Sequence, residues 1–292
     1  MNARFRTGSI AAIAFATTVF VSAQQPPAQQ PPPQPPAGGQ PAAGQPPQGG
    51  REGRAGQAGQ GRGRGGPRGA APLKYDDYTG FTSIFDGTMK NWDGDTSLWK
   101  AEGQSLVGTT TAEKPLTQNT FVIWRGGEPA DFELKVEYRM SSTNSGIQFR
   151  STQLPAGGEG QQAIGKWVLK GYQADIDFAN QFTGMVYEER GRGFLMQRGQ
   201  AVEIGADGMS RQIGSLETTA DELKALIKPG EWNQVHLIAR GNTIVNIVNG
   251  HVTAFLIDDD QKGRSLKGLL GFQIHVGPPM KIEFRNIYLK SL

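Results

Sequence analysis

Every second residue is apolar in three separate stretches: Gly146-Ile147-Gln148-Phe149-Arg150, Tyr172-Gln173-Ala174-Asp175-Ile176-Asp177 and Phe272-Gln273-Ile274-His275. A strand sends successive side chains to opposite faces, so this period of two means that one face packs and the other does not. A plain solvated face would carry Lys, Glu, Ser and Thr. Here the alternate positions are Gln148, Arg150, Gln173, Asp175, Gln273 and His275, short or planar groups suited to hydrogen-bonding a polar ligand. A fourth stretch, Gly184 to Glu189, joins the set if Val186 packs inward, because Tyr187 and Glu189 then turn outward.

From Tyr75 onward the chain is a succession of short alternating runs separated by Gly, Asp, Asn and Pro. Strands are expected at 81–85, 99–101, 105–108, 121–124, 132–140, 145–151, 171–177, 184–189, 232–240, 243–248, 251–257, 268–275 and 281–289. Many short strands with turn residues between them indicate an all-β fold, an antiparallel sandwich or barrel. Asn249-Gly250 between Ile247-Val248 and Val252 is a two-residue hairpin signal. One segment reads as helical: Thr219 and Glu222 form a capping box, Leu223, Leu226 and Ile227 give an apolar face, and Pro229-Gly230 stops it. A single short helix argues against α/β architectures, and no internal repeat suggests a propeller or solenoid.

The first 72 residues have a different texture. Arg4 and Arg6 precede an apolar run from Ile10 to Val21, and Val21-Ser22-Ala23 offers a small-x-small cleavage site, so residues 1–23 read as a secretory signal peptide. Residues 24–72 are almost wholly Gln, Pro, Gly, Ala and Arg, a composition with nothing to bury against the entropy of ordering, and are expected to form a disordered linker. Residues 73–292 are expected to form the folded domain. Seven Arg and one Glu fall before residue 73, leaving 23 basic and 26 acidic residues after it. The domain is thus mildly acidic, and the basic balance belongs to the leader and linker. Export to the periplasm or beyond makes nucleic acid an unsuitable partner for Arg62, Arg64 and Arg68, and leaves weak contact with anionic envelope polymers. With no cysteine in the chain, thiol nucleophiles, thiolate metal sites and a lipid-anchored cysteine are excluded. Neither Gly-x-Ser-x-Gly nor His-Glu-x-x-His occurs.

The polar face is the strongest candidate for chemistry. His275, Glu189, Asp175, Arg150 and Tyr187 supply a histidine, two carboxylates, a cation and a phenol, an inventory suited to proton transfer and oxyanion stabilisation. Gln148, Gln173 and Gln273 are candidate substrate-binding amides, and Arg190 follows in the loop. Trp124 and Trp167 lie in polar, Gly-bordered surroundings and are candidates to stack on a sugar ring, whereas Trp99 and Trp232 sit in apolar patterns that read as core. No cofactor is demanded; the pair Asp175 and Asp177 admits a divalent ion, Ca or Mn. Asp93-Gly94-Asp95 and Asp258-Asp259-Asp260 fit turn chemistry better than a calcium loop.

An ordered set of segments carries a family resemblance: Gly80 to Gly87, Trp99 to Gly108, Asp131 to Leu134, Asn144 to Arg150, Gly171 to Asp175, Gly230 to Asn233 and Phe284 to Ile287. Together they resemble the bacterial 3-keto-disaccharide hydrolase domain, over essentially all of residues 75–292. The resemblance implies a concanavalin A-like jelly roll of two curved antiparallel sheets with sugar on the concave one. It also implies an oligosaccharide or glycoside substrate already oxidised to a ketone at C3. Such a ketone acidifies the C2 proton, so a base can form an enolate that expels the C1 substituent, after which water adds. On this reading His275 or Glu189 is the base, and Arg150, Tyr187 or a divalent ion stabilises the enolate oxygen. Asp175 orients a hydroxyl or holds the metal, and the three glutamines read other hydroxyls. A non-catalytic, lectin-like binding module is the alternative on the same fold.

Overall fold

The computed structural model describes residues 76–160 and 163–292; the expected signal peptide and linker lie outside the described residues. The domain is a sandwich of two sheets. The seven-stranded sheet runs in the order β10 (Gly193–Met196), β9 (Val186–Glu189), β8 (Leu169–Asp177), β7 (Asn144–Gln153), β16 (Leu269–Ile274), β5 (Thr120–Trp124) and β2 (Trp92–Asp93). The ten-stranded sheet runs β12 (Ser210–Ser215), β11 (Gln200–Ile204), β15 (His251–Asp258), β14 (Thr243–Val248), β13 (Asn233–Arg240), β6 (Phe132–Met140), β17 (Lys281–Ser291), β4 (Ser105–Thr109) and β3 (Trp99–Glu102), with β1 (Thr82–Ser83) also on β17. The pairing is antiparallel except between β11 and β15, which are parallel, so the expectation of wholly antiparallel sheets is corrected at that point. All thirteen expected strands are present. Four were not anticipated: β2, which is two residues long, and β10 to β12. Ser210–Ser215 lies at the sheet edge with no buried residue and therefore has no alternation to read.

The core lies between the sheets, filled by the apolar members of each alternating run. Phe272 stacks on Phe284 across the gap with centroids 4.2 Å apart, and Phe149 meets Phe132 edge-on at 6.3 Å. Aromatic pairs of this kind add about 0.5–1.5 kcal/mol beyond the area they bury. Trp99 is core, as expected. Trp232 is not: it is half-buried outside, between the guanidinium groups of Arg139 and Arg285, 4.8 and 3.8 Å from its ring. The hairpin at Asn249-Gly250 has positive φ at both residues, 49° and 82°, as a primed turn requires. Helix α1 (Ala220–Ala225) starts at Thr219 with both halves of the capping box made, and Leu223 is its buried anchor. No helix among the described residues is long and apolar enough to cross a membrane.

Candidate active site

The four alternating stretches lie side by side as β9, β8, β7 and β16. Antiparallel partners put their side chains on a common face. Gly271 pairs with Gln148, Gln148 with Gln173 and Gln173 with Tyr187, so these positions form one row across the sheet. Ile147, Phe149, Ala174, Ile176, Phe272 and Ile274 point the other way, into the core. The glutamines, Asp175, Glu189 and Tyr187 therefore occupy the face turned away from the sandwich interior.

On that face the polar groups hold one another. Ser151 Oγ donates to Gln148 Oε1 at 2.5 Å, Gln148 Nε2 donates to Gln173 Oε1 at 3.0 Å, and Gln173 Nε2 donates to Asp175 Oδ1 at 2.6 Å. Gly146 makes this chain sterically feasible. A Cβ there would stand 2.2 Å from Gln173 Cδ, so the amide lies directly over the glycine. A second set surrounds Glu189: Asn119 Nδ2 donates to its two oxygens at 3.2 and 3.4 Å, and Gln273 Nε2 donates to Oε2 at 3.4 Å. Glu189 is on β9 and Gln273 on β16, with β8 and β7 between, so the face is curved enough for side chains to meet across it. Gln273 Oε1 is buried with no hydrogen-bond partner.

The electrostatics follow from burial. Asp175 is 4% exposed, and loss of solvent, helped by the nearby charges of Asp177 and Glu189, raises its pKa to about 8 against the hydrogen bond from Gln173. Burial also raises Glu189, partly offset by Asn119, Arg190 and Gln273. Tyr187 is raised by burial and by the charges of Glu189 and Asp175, so it remains a hydroxyl donor. His275 follows β16 on the same parity as Gln273. Its Nδ1 donates to the carbonyl of Val276 at 2.5 Å, which leaves the lone pair on Nε2, and burial lowers its pKa, so the ring is neutral. Val276 N–H donates to Asn119 Oδ1 at 2.9 Å, so Asn119 ties the His275 segment to Glu189. Asn119 and Ser151 were missed from the sequence. Asn119 precedes an apolar run and carries no pattern of its own, and Ser151 acts only through the bend at residue 150.

Three expected site residues lie elsewhere. Arg150 has φ 47° in a bulge where the β7–β8 register shifts, and this rotates its side chain off the row begun by Gln148. Its guanidinium, almost fully buried, donates to Ala130 O at 2.7 and 2.8 Å, Gly241 O at 2.7 Å and Asp131 Oδ1 at 3.1 Å. Those groups flank strands of the ten-stranded sheet, so Arg150 clamps the two sheets together. Trp124 faces the core beside Trp92 and Leu270. Asp177 caps a turn, its carboxylate accepting from the amides of Gln181, Phe182 and Thr183 and from the Thr183 hydroxyl. With its oxygens so engaged, the Asp175/Asp177 pair does not fit a divalent ion, and the described residues contain no group of three or more His, Asp or Glu placed to hold one. Arg190 is exposed on the turn after β9 and reaches Gln118 at 3.4 Å. Trp167 donates to Asp93 at 2.7 Å and packs on Phe121, Ile123 and Leu169.

Two surface clefts do not coincide with this chemistry. One of about 410 Å³ is lined by Trp92, Trp124 and Asp86, away from the polar face. The other, about 210 Å³, adjoins the polar face at Asn119 and Trp167. Titratable groups shifted by burial and by one another mark a candidate reacting site, and Asp175 and Glu189 place it on the polar face, beside the second cleft.

Residues 80–290 match the sequence model of the 3-keto-alpha-glucoside-1,2-lyase-like domain. No curated protein matches the chain. Solved structures similar to it include a Parabacteroides distasonis protein provisionally assigned to the glycosyl hydrolases, at 18% identity over 73% of this chain and 99% of that one, TM-score 0.46. A carbohydrate-binding module from Bacillus subtilis is similar at 13% identity over 70% and 98%, TM-score 0.42. A Bacillus subtilis protein with a galectin-like fold is similar at 13% identity over 70% and 90%, TM-score 0.40.

Proposed function

Because the chain belongs to the 3-keto-alpha-glucoside-1,2-lyase-like family, with the carbohydrate-related role that membership carries, we propose that its polar face cleaves 3-keto-glycosides by elimination followed by hydration. The observation that carries this reading is the pair Asp175 and Glu189, two buried carboxyls on one face, both with raised pKa and both close to the Tyr187 phenol. Ionised Glu189 takes the C2 proton, and the electron pair moves toward the C3 oxygen as an enolate. Asp175, protonated up to about pH 8, and the Tyr187 hydroxyl donate hydrogen bonds to that oxygen. The enolate collapses back to the ketone, a C1–C2 double bond forms, and the C1–O bond breaks; the departing oxygen takes a proton from water. Water then adds to C1, with Nε2 of His275 accepting its proton, Glu189 returning one to C2, and His275 discharging to solvent. This route needs neither a covalent glycosyl intermediate nor the paired carboxylates of an oxocarbenium mechanism. The orphaned Gln273 Oε1 is an acceptor that a substrate hydroxyl would satisfy.

Arg150, Trp124 and Asp177 take no part in this chemistry, being engaged between the sheets, in the core and in a turn. We also propose export to the periplasm or beyond, on the signal-like residues 1–23.

The test is turnover of a 3-keto-disaccharide and of its unoxidised parent. Cleavage of the first alone is expected, with kcat lowered at least about 100-fold in Glu189→Gln, the scale of a general base. Unchanged kcat in that variant would place the site elsewhere. Binding of both sugars without turnover of either would assign the face to carbohydrate capture.

A further inference from the structure

Past Tyr187 the face changes character. Phe194 of β10 pairs with Tyr187, so the row Gln148, Gln173, Tyr187 continues onto Phe194. Its neighbours Leu195 and Met196 are in the core, yet Phe194 is 48% exposed, at a position where an ordinary edge strand would carry a polar residue. Its ring stacks on Phe182 with centroids 5.3 Å apart and planes 26° off parallel, and meets Tyr187 edge-on at 5.0 Å. Phe182 and Tyr187 are themselves only half-buried. Three rings thus form a contiguous, accessible platform, unlike single surface apolar residues, which need no explanation. The platform begins where the reacting groups end, because Tyr187 pairs with Gln173, whose amide donates to Asp175, and lies two residues before Glu189 on the same strand.

We propose that this platform is the leaving-group subsite and that it takes an aryl aglycone, making aryl 3-keto-glycosides the substrate class. The proposal rests on the reading of the polar face as the cleavage site. A pyranose presents one C–H face to a single ring and needs acids or amides for its equatorial hydroxyls; Phe182 and Phe194 supply none. A planar arene is covered by stacked and edge-on rings without any such partner. Elimination is consistent with this choice: an aryl oxide departs without protonation far more readily than an alkoxide, and Phe182 and Phe194, the rings beyond Tyr187, have no proton to give.

The test compares 4-nitrophenyl 3-keto-glucoside with a 3-keto-disaccharide in wild type, Phe194→Ala and Phe194→Tyr. Phe194→Ala is expected to lower kcat/KM for the aryl substrate about tenfold, through KM, and for the disaccharide less than about twofold; Phe194→Tyr restores the aryl value. Equal losses on the two substrates, or none, would overturn the subsite. A second arm is independent of turnover: unoxidised 4-nitrophenyl glucoside is titrated calorimetrically into wild type and Phe194→Ala. At least about fivefold weaker binding by the variant supports the platform, and equal binding overturns it. If wild type cleaves neither keto-substrate while this binding difference persists, the elimination reading fails and the arene site stands. A fall in oligomeric state of Phe194→Ala by sedimentation would make the rings a contact between copies and overturn the proposal.

Discussion

Asp175→Asn should stabilise the domain and silence it together. In the folded chain burial raises the Asp175 carboxyl from 3.8 to about 8, so between those values the unfolded chain is ionised there and the folded one is protonated. The unfolded state then binds fewer protons, and stability falls as pH rises through that window. At about 1.4 kcal/mol per pH unit, the cost reaches about 4 kcal/mol at pH 7, against about 2 kcal/mol at pH 5. Asparagine never ionises, and its carbonyl can still accept from Gln173. For a domain of this size each kcal/mol moves the unfolding midpoint by about 2–4 °C, so the variant should gain about 8 °C or more at pH 7 and about half that at pH 5. The assay is thermal unfolding by circular dichroism at pH 5, 6, 7 and 8, with turnover measured in parallel. Turnover should survive only weakly, because asparagine remains a donor but cannot be tuned to the enolate. A gain that does not grow with pH, or a loss, would show that the carboxyl is ionised and solvated in the folded protein.

Arg150→Ala should cost about 3–5 kcal/mol in urea unfolding, since it strands the Ala130 and Gly241 carbonyls that the guanidinium satisfies. The folded fraction should keep kcat within about twofold, whereas a direct enolate contact would cost about 100-fold. Asp177→Ala should lower the unfolding midpoint by losing three backbone hydrogen bonds, equally with and without added Ca or Mn; a metal-dependent difference would contradict the turn-capping role. Gly146→Ala drives a methyl to within 2.2 Å of Gln173 and should break the Gln148–Gln173–Asp175 chain, lowering kcat about tenfold with a smaller change in stability; wild-type kinetics would show the amide chain to be dispensable.

What could be read along the chain was whatever depends on neighbouring residues. Alternation of side chains is a property of a single strand, so Gln148, Gln173, Asp175, Tyr187, Glu189 and Gln273 could each be assigned to an outward face, and the capping box at Thr219 and the turn at Asn249-Gly250 are equally local. Strands at exposed edges escaped, because a strand buried on neither side has no period; Ser210–Ser215 is the example. Which strands would be neighbours was supported by resemblance rather than by pattern, and the pairing of β9, β8, β7 and β16 required the assembled sheet.

Tertiary structure decided the rest, and it did so where alternation breaks. One bulge turns Arg150 from the polar face into a clamp on the opposite sheet, since an extra residue reverses the direction of every side chain it precedes. Trp124 belongs to the core because its strand presents that face to Trp92 and Leu270. Asp177 is consumed by amides that reach it only after the chain turns at Thr183. The raised pKa of Asp175 is likewise invisible in a list of residues: desolvation depends on what surrounds a carboxyl, and its surroundings come from strands far apart along the chain.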